Sequence, residues 1–151
     1  MKINEVLSKG CIQVGLDAKD KQDLLEKITD LAMNSGKITN RAAVLKSIME
    51  REKIMSTGIG KNICLPHAKT EYIDGPVAAM ATLKTPVDFH SLDGEPVNIC
   101  FLLLGKENNI GMHLRLLSKI SRFLNNDEFR EKILNSKTPD EIINLFESVD
   151  E

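Results

Sequence analysis

Helical spacing of apolar residues predicts two amphipathic helices in the first third of the chain. The first follows Asp20, a residue suited to capping a helix, and ends near Gly36. The second follows Asn40, another good cap, and turns charged at its end, from Glu50 to Lys53. The apolar stripes consist of Leu24, Leu25, Ile28, Leu31 and Ala32 in the first helix and of Val44, Leu45, Ile48 and Met49 in the second.

Two short apolar runs in the middle of the chain predict buried central strands. They extend from Val77 to Leu83 and from Val97 to Leu104. Weaker strand signals lie at Ile63 to Leu65 and at Cys11 to Val14, where the apolar runs are too short to show a period. The segment from Ser56 to Gly60 is predicted to be a loop, because its two glycines weaken any regular element.

After Gly105 the pattern is helical to the end of the chain. The last helix has the clearest start, because Thr138 can cap it, Pro139 suits its first position and Glu141 completes a capping box. Strands in the middle of the chain with helices before and after them predict one α/β domain over residues 1–151, with helices on both faces of the sheet. The apolar positions fall into three groups: Leu114, Leu117, Ile120 and Leu124; Phe129, Ile133 and Leu134; Ile142, Leu145, Phe146 and Val149.

Composition excludes several classes of protein. The 20 Lys and Arg residues against 22 Asp and Glu residues give a formal net charge of -2 without a block of like charges, so no nucleic-acid-binding face is expected. No apolar run approaches the ~20 residues that span a bilayer, and the first residues do not resemble a signal peptide. We therefore expect a cytoplasmic protein without direct membrane insertion. Its three cysteines are widely separated, which suits reduced thiols rather than a disulfide scaffold.

Two of the three histidines stand in unusual local sequence. His67 follows Pro66, whose fixed φ stiffens the backbone as it leaves a strand end. His113 begins the helix that follows Gly105 and lies on its apolar stripe. A helix N-terminus disfavours imidazolium and favours a bound anion, so a neutral His113 is suited to donate a hydrogen bond to a phosphoryl oxygen. Each histidine could instead simply pack or satisfy neighbouring backbone groups, while His90 is expected to be solvated in a polar turn.

The parts for phosphoryl transfer to a histidine are all present in the sequence. Such transfer needs an oriented neutral imidazole, a cation or donors for the phosphoryl oxygens, and a backbone that approaches closely. Arg51 offers a planar fork, while hydroxyl groups and flexible glycines are supplied by Ser56, Thr57, Gly58 and Gly60. Taken alone, these residues are more often a solvated helix end and an ordinary turn than a phosphoryl site.

Competing chemistries have less support. Motifs of a P-loop, a dinucleotide-binding fold and a hydrolase nucleophile elbow are absent. A metal site formed by Cys64, His67 and His113 is disfavoured, because residues three apart at a strand end tend to face opposite ways and no second ligand pair exists.

The ordered motifs together resemble the fructose-type enzyme IIA domain of the bacterial phosphoenolpyruvate-dependent sugar phosphotransferase system. This domain lies within the wider fructose, mannitol and nitrogen-regulatory IIA family, and the resemblance covers nearly the whole chain. The block centred on Pro66-His67 is its most specific part. The motifs are Arg51-Glu52, Ser56-Thr57-Gly58-Ile59-Gly60, Leu65-Pro66-His67-Ala68-Lys69-Thr70, Val87-Asp88-Phe89, Leu92-Asp93-Gly94 and His113-Leu114.

This resemblance implies a phosphocarrier with a mixed β-sheet between layers of helices, a three-layer α/β/α fold. His67 would accept a phosphoryl group on Nε2 from the phosphohistidine of HPr and pass it to a cysteine of an enzyme IIB, upstream of a membrane enzyme IIC. His113 would stabilise the phosphoryl group and Arg51 would hold its oxygens, and the resemblance implies no metal or organic cofactor. A shallow apolar rim is expected around His67, because two partners must dock there in turn.

Two interpretations of the role remain open. The first is sugar uptake, favoured by the Ala68-Lys69-Thr70 and Val87 to Gly94 segments, which look more like the fructose type. The second is a nitrogen-regulatory protein, whose phosphorylation state controls its binding to transporters, kinases or transcription regulators. Cys64 stands close to His67 in sequence, which raises the hypothesis that oxidation of its thiol impairs transfer.

Overall fold

Five α-helices enclose a six-stranded mixed sheet in the structure, a computed structural model that describes residues 1–150. The helices are α1 (Lys21–Ala32), α2 (Arg41–Ile54), α3 (Ile110–Leu124), α4 (Asp127–Asn135) and α5 (Pro139–Val149). The strands are β1 (Ile12–Leu16), β2 (Gly58–Gly60), β3 (Ile63–Cys64), β4 (His67–Thr70), β5 (Val77–Val87) and β6 (Val97–Lys106). Short 3-10 turns occupy Ile3–Glu5, Lys9–Cys11 and Met33–Ser35.

The sheet has the order β1-β5-β6-β3-β2, and β4 continues along the same edge of β6 as β3. β1 runs parallel to β5, β5 antiparallel to β6, and both β3 and β4 parallel to β6. The two central strands are almost completely buried, as expected for strands covered on both faces. α1 packs on β5 and against α2, while α3 packs on β6 and α5 on β1. The predicted three-layer α/β/α fold is confirmed.

Most helix boundaries follow the predicted caps. The side chains of Asp20, Asn40 and Thr138 each accept a hydrogen bond from the backbone N–H three residues later. The predicted reach of Glu141 back to the cap residue is wrong by one position, since its carboxylate accepts from the N–H of Lys137 at 2.7 Å. The capping hydroxyl and the carboxylate still satisfy two otherwise free N–H groups at the start of α5.

The predicted loop from Ser56 to Gly60 is wrong in its second half, because Gly58–Gly60 forms β2. Two glycines suffice for a strand here because β3 supplies antiparallel partners, with Gly58 opposite Cys64. A Cβ at Gly58 would lie 2.8 Å from the Cβ of Ser91. Glycine at this position therefore permits close packing against the 88–94 turn rather than flexibility.

Other strand ends differ from the sequence prediction. β1 begins at Ile12 and extends to Leu16, two residues beyond the predicted end. β5 continues to Val87, past a register shift after Thr82, where its exposed end carries little apolar signal. His67 does not simply follow a strand end but begins β4, which pairs with the C-terminal part of β6. Four residues of β4 alternate in burial, too few for the pattern to be recognised.

α3 begins earlier than its apolar pattern indicates. Asn109 caps it through a side-chain bond from the N–H of Met112, so His113 is the fourth helical residue rather than the first. Its N–H is already bonded to the Asn109 carbonyl at 3.3 Å. Among residues 1–150, none of the helices has both the length and the apolar character needed to cross a membrane.

Candidate histidine site

A single hydrogen bond fixes the orientation and the tautomer of His67. Its Nδ1 lies 2.8 Å from the backbone carbonyl oxygen of Leu65. Because a carbonyl can only accept, Nδ1 carries the proton, and the neutral ring has its lone pair on Nε2. The Leu65 N–H in turn donates to the Thr57 carbonyl at 2.9 Å, and the Pro66 carbonyl accepts from the N–H of Leu103 at 3.0 Å. The backbone on which the ring depends is therefore held on both sides.

Burial keeps His67 neutral at physiological pH. Desolvation of the half-buried ring lowers its pKa, the bond to Leu65 raises it, and the positive charge of Arg51 lowers it further. A neutral imidazole with a free Nε2 lone pair is a nucleophile without prior loss of a proton. The ring is thus prepared for attack on an electrophilic centre such as phosphorus.

His113 packs beside His67 and is also held neutral. The two ring centroids lie 6.1 Å apart, with the planes tilted by 49°. His113 is only 4% exposed, and its pKa is lowered to about 4 by burial first and then by the nearby His67 and Lys69. His113 points inward as predicted, together with Ile120 and Leu124, but Leu116 is buried on this face and the predicted Leu114 is exposed.

Gly105 makes room for the His113 ring, a role that the sequence pattern did not reveal. A Cβ added at residue 105 would lie 2.6 Å from Cγ and 2.9 Å from Cβ of His113. The His113 Nδ1 atom is buried against this backbone without a hydrogen-bond partner. The His113 nitrogen that remains free to bond a ligand is therefore Nε2.

Arg51 lies in the last turn of α2 and lines one cleft together with His67 and His113. One guanidinium nitrogen donates to the Met55 carbonyl at 3.1 Å, which holds the side chain over the end of its own helix. Its charge is close enough to lower the pKa of His67. The remaining guanidinium N–H groups are available to an anion bound between Arg51 and His67.

Glu52 supports this helix end from inside the protein. Its buried carboxylate forms an ion pair with Lys21 at 2.9 Å and accepts from the N–H and the hydroxyl of Thr57 at 2.7 and 2.6 Å. Lys21 also lies 4.5 Å from the centre of the Phe89 ring. These contacts fasten the chain after α2 onto α1, which fixes the turn that carries Arg51. Sequence analysis noted Glu52 beside Arg51 but gave it no role.

The four residues predicted to bind phosphoryl oxygens do not line this cleft. Thr57 is buried on Glu52, and the Ser56 hydroxyl donates to the Phe89 carbonyl at 2.9 Å. Gly58 packs against Ser91, and Gly60 lies near Asp93. Ser56, Gly58 and Gly60 therefore serve the packing of residues 88–94, and Thr57 serves the support of α2 through Glu52. The Ser56 bond joins residues that are 33 positions apart in the sequence, so a local sequence pattern could not predict it.

The cleft around the two histidines has a volume of about 810 Å³. Its lining includes two cationic residues, Arg51 and Lys69, and two anionic residues, Glu50 and Glu107. Its apolar rim includes Ile54, Ile110 and Leu114, which are 80%, 50% and 58% exposed. Exposed apolar side chains of this size next to a polar centre are typical of a surface on which another protein docks.

Cys64 does not face this cleft. Its thiol is fully buried next to the in-register Cys100 of β6, and burial raises its pKa well above the usual range. A thiol that stays protonated and inaccessible reacts slowly with oxidants, so the oxidation hypothesis loses its structural basis. Within residues 1–150 no three Cys, His, Asp or Glu side chains are grouped closely enough to hold a metal ion.

Comparison with known proteins agrees with this fold. Residues 5–149 match the model of the family described as "Phosphoenolpyruvate-dependent sugar phosphotransferase system, EIIA 2". The chain therefore belongs to the type 2 EIIA family, the EIIA components of phosphotransferase systems. The nitrogen regulatory protein IIA-Ntr from Neisseria meningitidis has the same fold, with a TM-score of 0.89, 28% identity and coverage of 95% of this chain and 98% of that one.

Relatives of this chain include both sugar-specific components and nitrogen regulatory proteins. A PTS system fructose-specific EIIABC component from Bacillus subtilis is 35% identical over 99% of this chain, which spans only 24% of that protein. A fructose-specific EIIA component from Haloferax volcanii is 35% identical over 78% of this chain and 77% of its own length. A nitrogen regulatory protein from Pseudomonas aeruginosa is 29% identical over 96% of this chain and 94% of its own length.

We predict that Gly105→Ala displaces the His113 ring. The added Cβ has no room while the ring stays in place, so the ring moves toward solvent, and its pKa rises from about 4 toward the ordinary value. NMR titration of the histidine ring protons measures this change. Gly10→Ala is the matched control, since the nearest atom to its added Cβ is 3.9 Å away. An unchanged His113 titration in Gly105→Ala would contradict the packing described.

We also predict that His113 makes the fold acid-sensitive. Its folded pKa of about 4 lies below the ordinary 6.5, so the unfolded state binds the proton more tightly. The resulting stability is complete above the unfolded pKa and is lost as pH falls through the window between those two values. The free energy of unfolding should drop by roughly 2 kcal/mol at about pH 5 from this residue.

Urea unfolding at a series of pH values, on wild type and His113→Gln, measures this contribution. The difference between the two curves removes the effect of carboxylates that titrate in both proteins. A smaller loss of stability on acidification is expected for His113→Gln, and parallel curves would show that His113 is not the group responsible.

Proposed function

We propose that this chain is a phosphocarrier in which Nε2 of His67 accepts the phosphoryl group from the phosphohistidine of HPr. The observation that carries the proposal is the hydrogen bond from Nδ1 to the Leu65 carbonyl, which leaves Nε2 as the nucleophile. Membership of the EIIA family supports the same chemistry. The exchange is proposed to take place in the cytoplasm.

Transfer to His67 requires no proton movement at the acceptor. The P–N bond of the donor phosphohistidine breaks as the Nε2 lone pair of His67 forms a new P–N bond, and the donor imidazole leaves. His67 keeps its Nδ1 proton throughout, so its ring gains positive character, which the Leu65 carbonyl stabilises. In the second step a cysteine thiolate of enzyme IIB attacks phosphorus, and His67 leaves as the same neutral tautomer.

Arg51 and His113 have different proposed roles in this exchange. The Arg51 guanidinium lies at the end of α2 and balances the charge of the phosphoryl oxygens. His113 is neutral, so its Nε2 donates a hydrogen bond without repelling the ring charge that develops on His67. Both groups stabilise charge and neither forms a bond to phosphorus.

The acceptor that we propose is a fructose-type enzyme IIB, which delivers the phosphoryl group to sugar uptake through a membrane enzyme IIC. Two relatives at 35% identity carry fructose-specific names, and this supports uptake. A regulatory role is the second candidate, since the nitrogen regulatory relative matches along 94% of its own length. In that case the phosphorylated and free forms differ in binding to a transporter, kinase or transcription regulator.

The donor step is tested by intact-protein mass after incubation with phosphoenolpyruvate, enzyme I and HPr. Wild type should gain one acid-labile phosphoryl group, His67→Gln should gain none, and the exposed His90→Gln should behave as wild type. His113→Gln should still accept the group, with transfer slowed by roughly 10²-fold. Phosphorylation of His67→Gln would refute the assignment of the nucleophile. Complete loss of phosphorylation in His113→Gln as well as in His67→Gln would refute the division of roles between the two histidines.

The acceptor step is tested by adding purified enzyme IIB proteins to the phosphorylated chain. Rapid removal of the phosphoryl group by a fructose-type IIB supports the uptake role. Persistence of the group in the presence of every IIB tested would instead favour the regulatory role. Phosphorylated His113→Gln provides an internal comparison, since it should release its phosphoryl group to the same IIB more slowly than wild type does.

A further inference from the structure

Lys69 lies on the same face of the sheet edge as His67. Side chains alternate along a strand, so residues two apart point to one side, with about 7 Å between their Cα atoms. In β4 the intervening Ala68 and the following Thr70 are buried, while His67 is half-buried and Lys69 is exposed. His67 and Lys69 both line the 810 Å³ cleft.

The neighbouring strand brings Lys69 close to His113 as well. Lys69 is in register with Gly105 of β6, and the His113 ring packs on the backbone of Gly105. The charge of Lys69 contributes to the lowered pKa of His113, which supports their proximity. Lys69 thus lies on the sheet floor of the cleft, near His113, while Arg51 belongs to α2.

The ammonium group of Lys69 has no counter-charge bonded to it within residues 1–150. The carboxylate of Glu107 lines the same cleft but is not bonded to it. An unpaired ammonium group on a flexible stem beside a nucleophile is suited to bind an anion that arrives there.

We propose that Lys69 is a second cationic contact for the phosphoryl group, in addition to Arg51. This inference rests on the proposed phosphocarrier function and deepens it. A phosphoryl group in transfer spreads its charge over three oxygens, and one guanidinium on one side leaves part of that charge unbalanced. An ammonium group beside the two histidines stabilises the transferring group further, and Lys69 therefore acts on the reacting atoms directly.

The alternative role for an exposed lysine is to bind a carboxylate of a partner protein. The two roles differ when the donor is a small molecule, because phosphoramidate phosphorylates histidine without protein docking. A phosphoryl contact accelerates transfer from phosphoramidate and from HPr alike. A docking contact changes the KM for one protein partner and leaves the reaction with phosphoramidate unaffected.

The experiment compares Lys69→Gln, Lys69→Arg and the control Lys84→Gln, which removes an exposed lysine of β5 outside the cleft. Phosphorylation of His67 is followed by intact mass with phosphoramidate and separately with HPr, and circular dichroism verifies the fold. We expect Lys69→Gln to slow both reactions roughly tenfold, with kcat rather than KM affected in the HPr reaction. Lys69→Arg should recover most of the rate, and Lys84→Gln should match wild type.

Equal rates for Lys69→Gln and Lys84→Gln with phosphoramidate would overturn the inference while leaving the phosphocarrier function intact. A change confined to the KM for HPr would also overturn it, in favour of docking. Failure of wild type to become phosphorylated on His67 by either donor would overturn the proposed function and this inference with it.

Discussion

The hydrogen bond between Nδ1 of His67 and the Leu65 carbonyl is the contact on which the site depends. A histidine can present either ring nitrogen to a reactant, and this bond leaves only Nε2 free. The carbonyl is itself fixed, because the Leu65 N–H is bonded to Thr57 and the neighbouring Pro66 carbonyl to Leu103. Thr57 in turn is fastened to Glu52. A chain of backbone and buried contacts therefore connects α2, β6 and the ring of His67.

The second constraint on the site is that His67 and His113 stay neutral. Burial and nearby positive charge both lower the pKa of these rings. Two imidazolium rings with centroids 6.1 Å apart would repel each other strongly in a partly buried site. Desolvation is the largest contribution that lowers the pKa of each ring, and the charges of Arg51 and Lys69 act in the same direction. The cations that would balance a phosphoryl group thus also help to keep the histidines unprotonated before it arrives. One set of charges serves both the free and the proposed loaded state.

Sequence analysis predicted the features that depend on local chemistry. The caps at Asp20, Asn40 and Thr138, the two central strands and the three-layer fold follow from periodicity and turn residues within short windows. Residues of the candidate site whose role depends on which partner the folded chain gives them were harder to interpret. Ser56 and Thr57 have hydroxyls suited to phosphate, yet their bonds to Phe89 and Glu52 direct those hydroxyls away from the cleft. Gly105 has no local signal, since its role is set by a ring that packs on it from α3.

The open shape of the cleft suits the proposed exchange with proteins better than the enclosure of a small substrate. An active site that excludes water gains electrostatic strength, but a closed site would prevent a partner's side chain from reaching Nε2. Here the rigid parts, which are the Leu65 bond, the Gly105 contact and the Glu52 network, all lie behind the reacting face. The exposed apolar rim of Ile54, Ile110 and Leu114 surrounds that face. A docking partner would cover the rim, exclude water only during contact, and so supply for a moment the low dielectric that the free protein lacks.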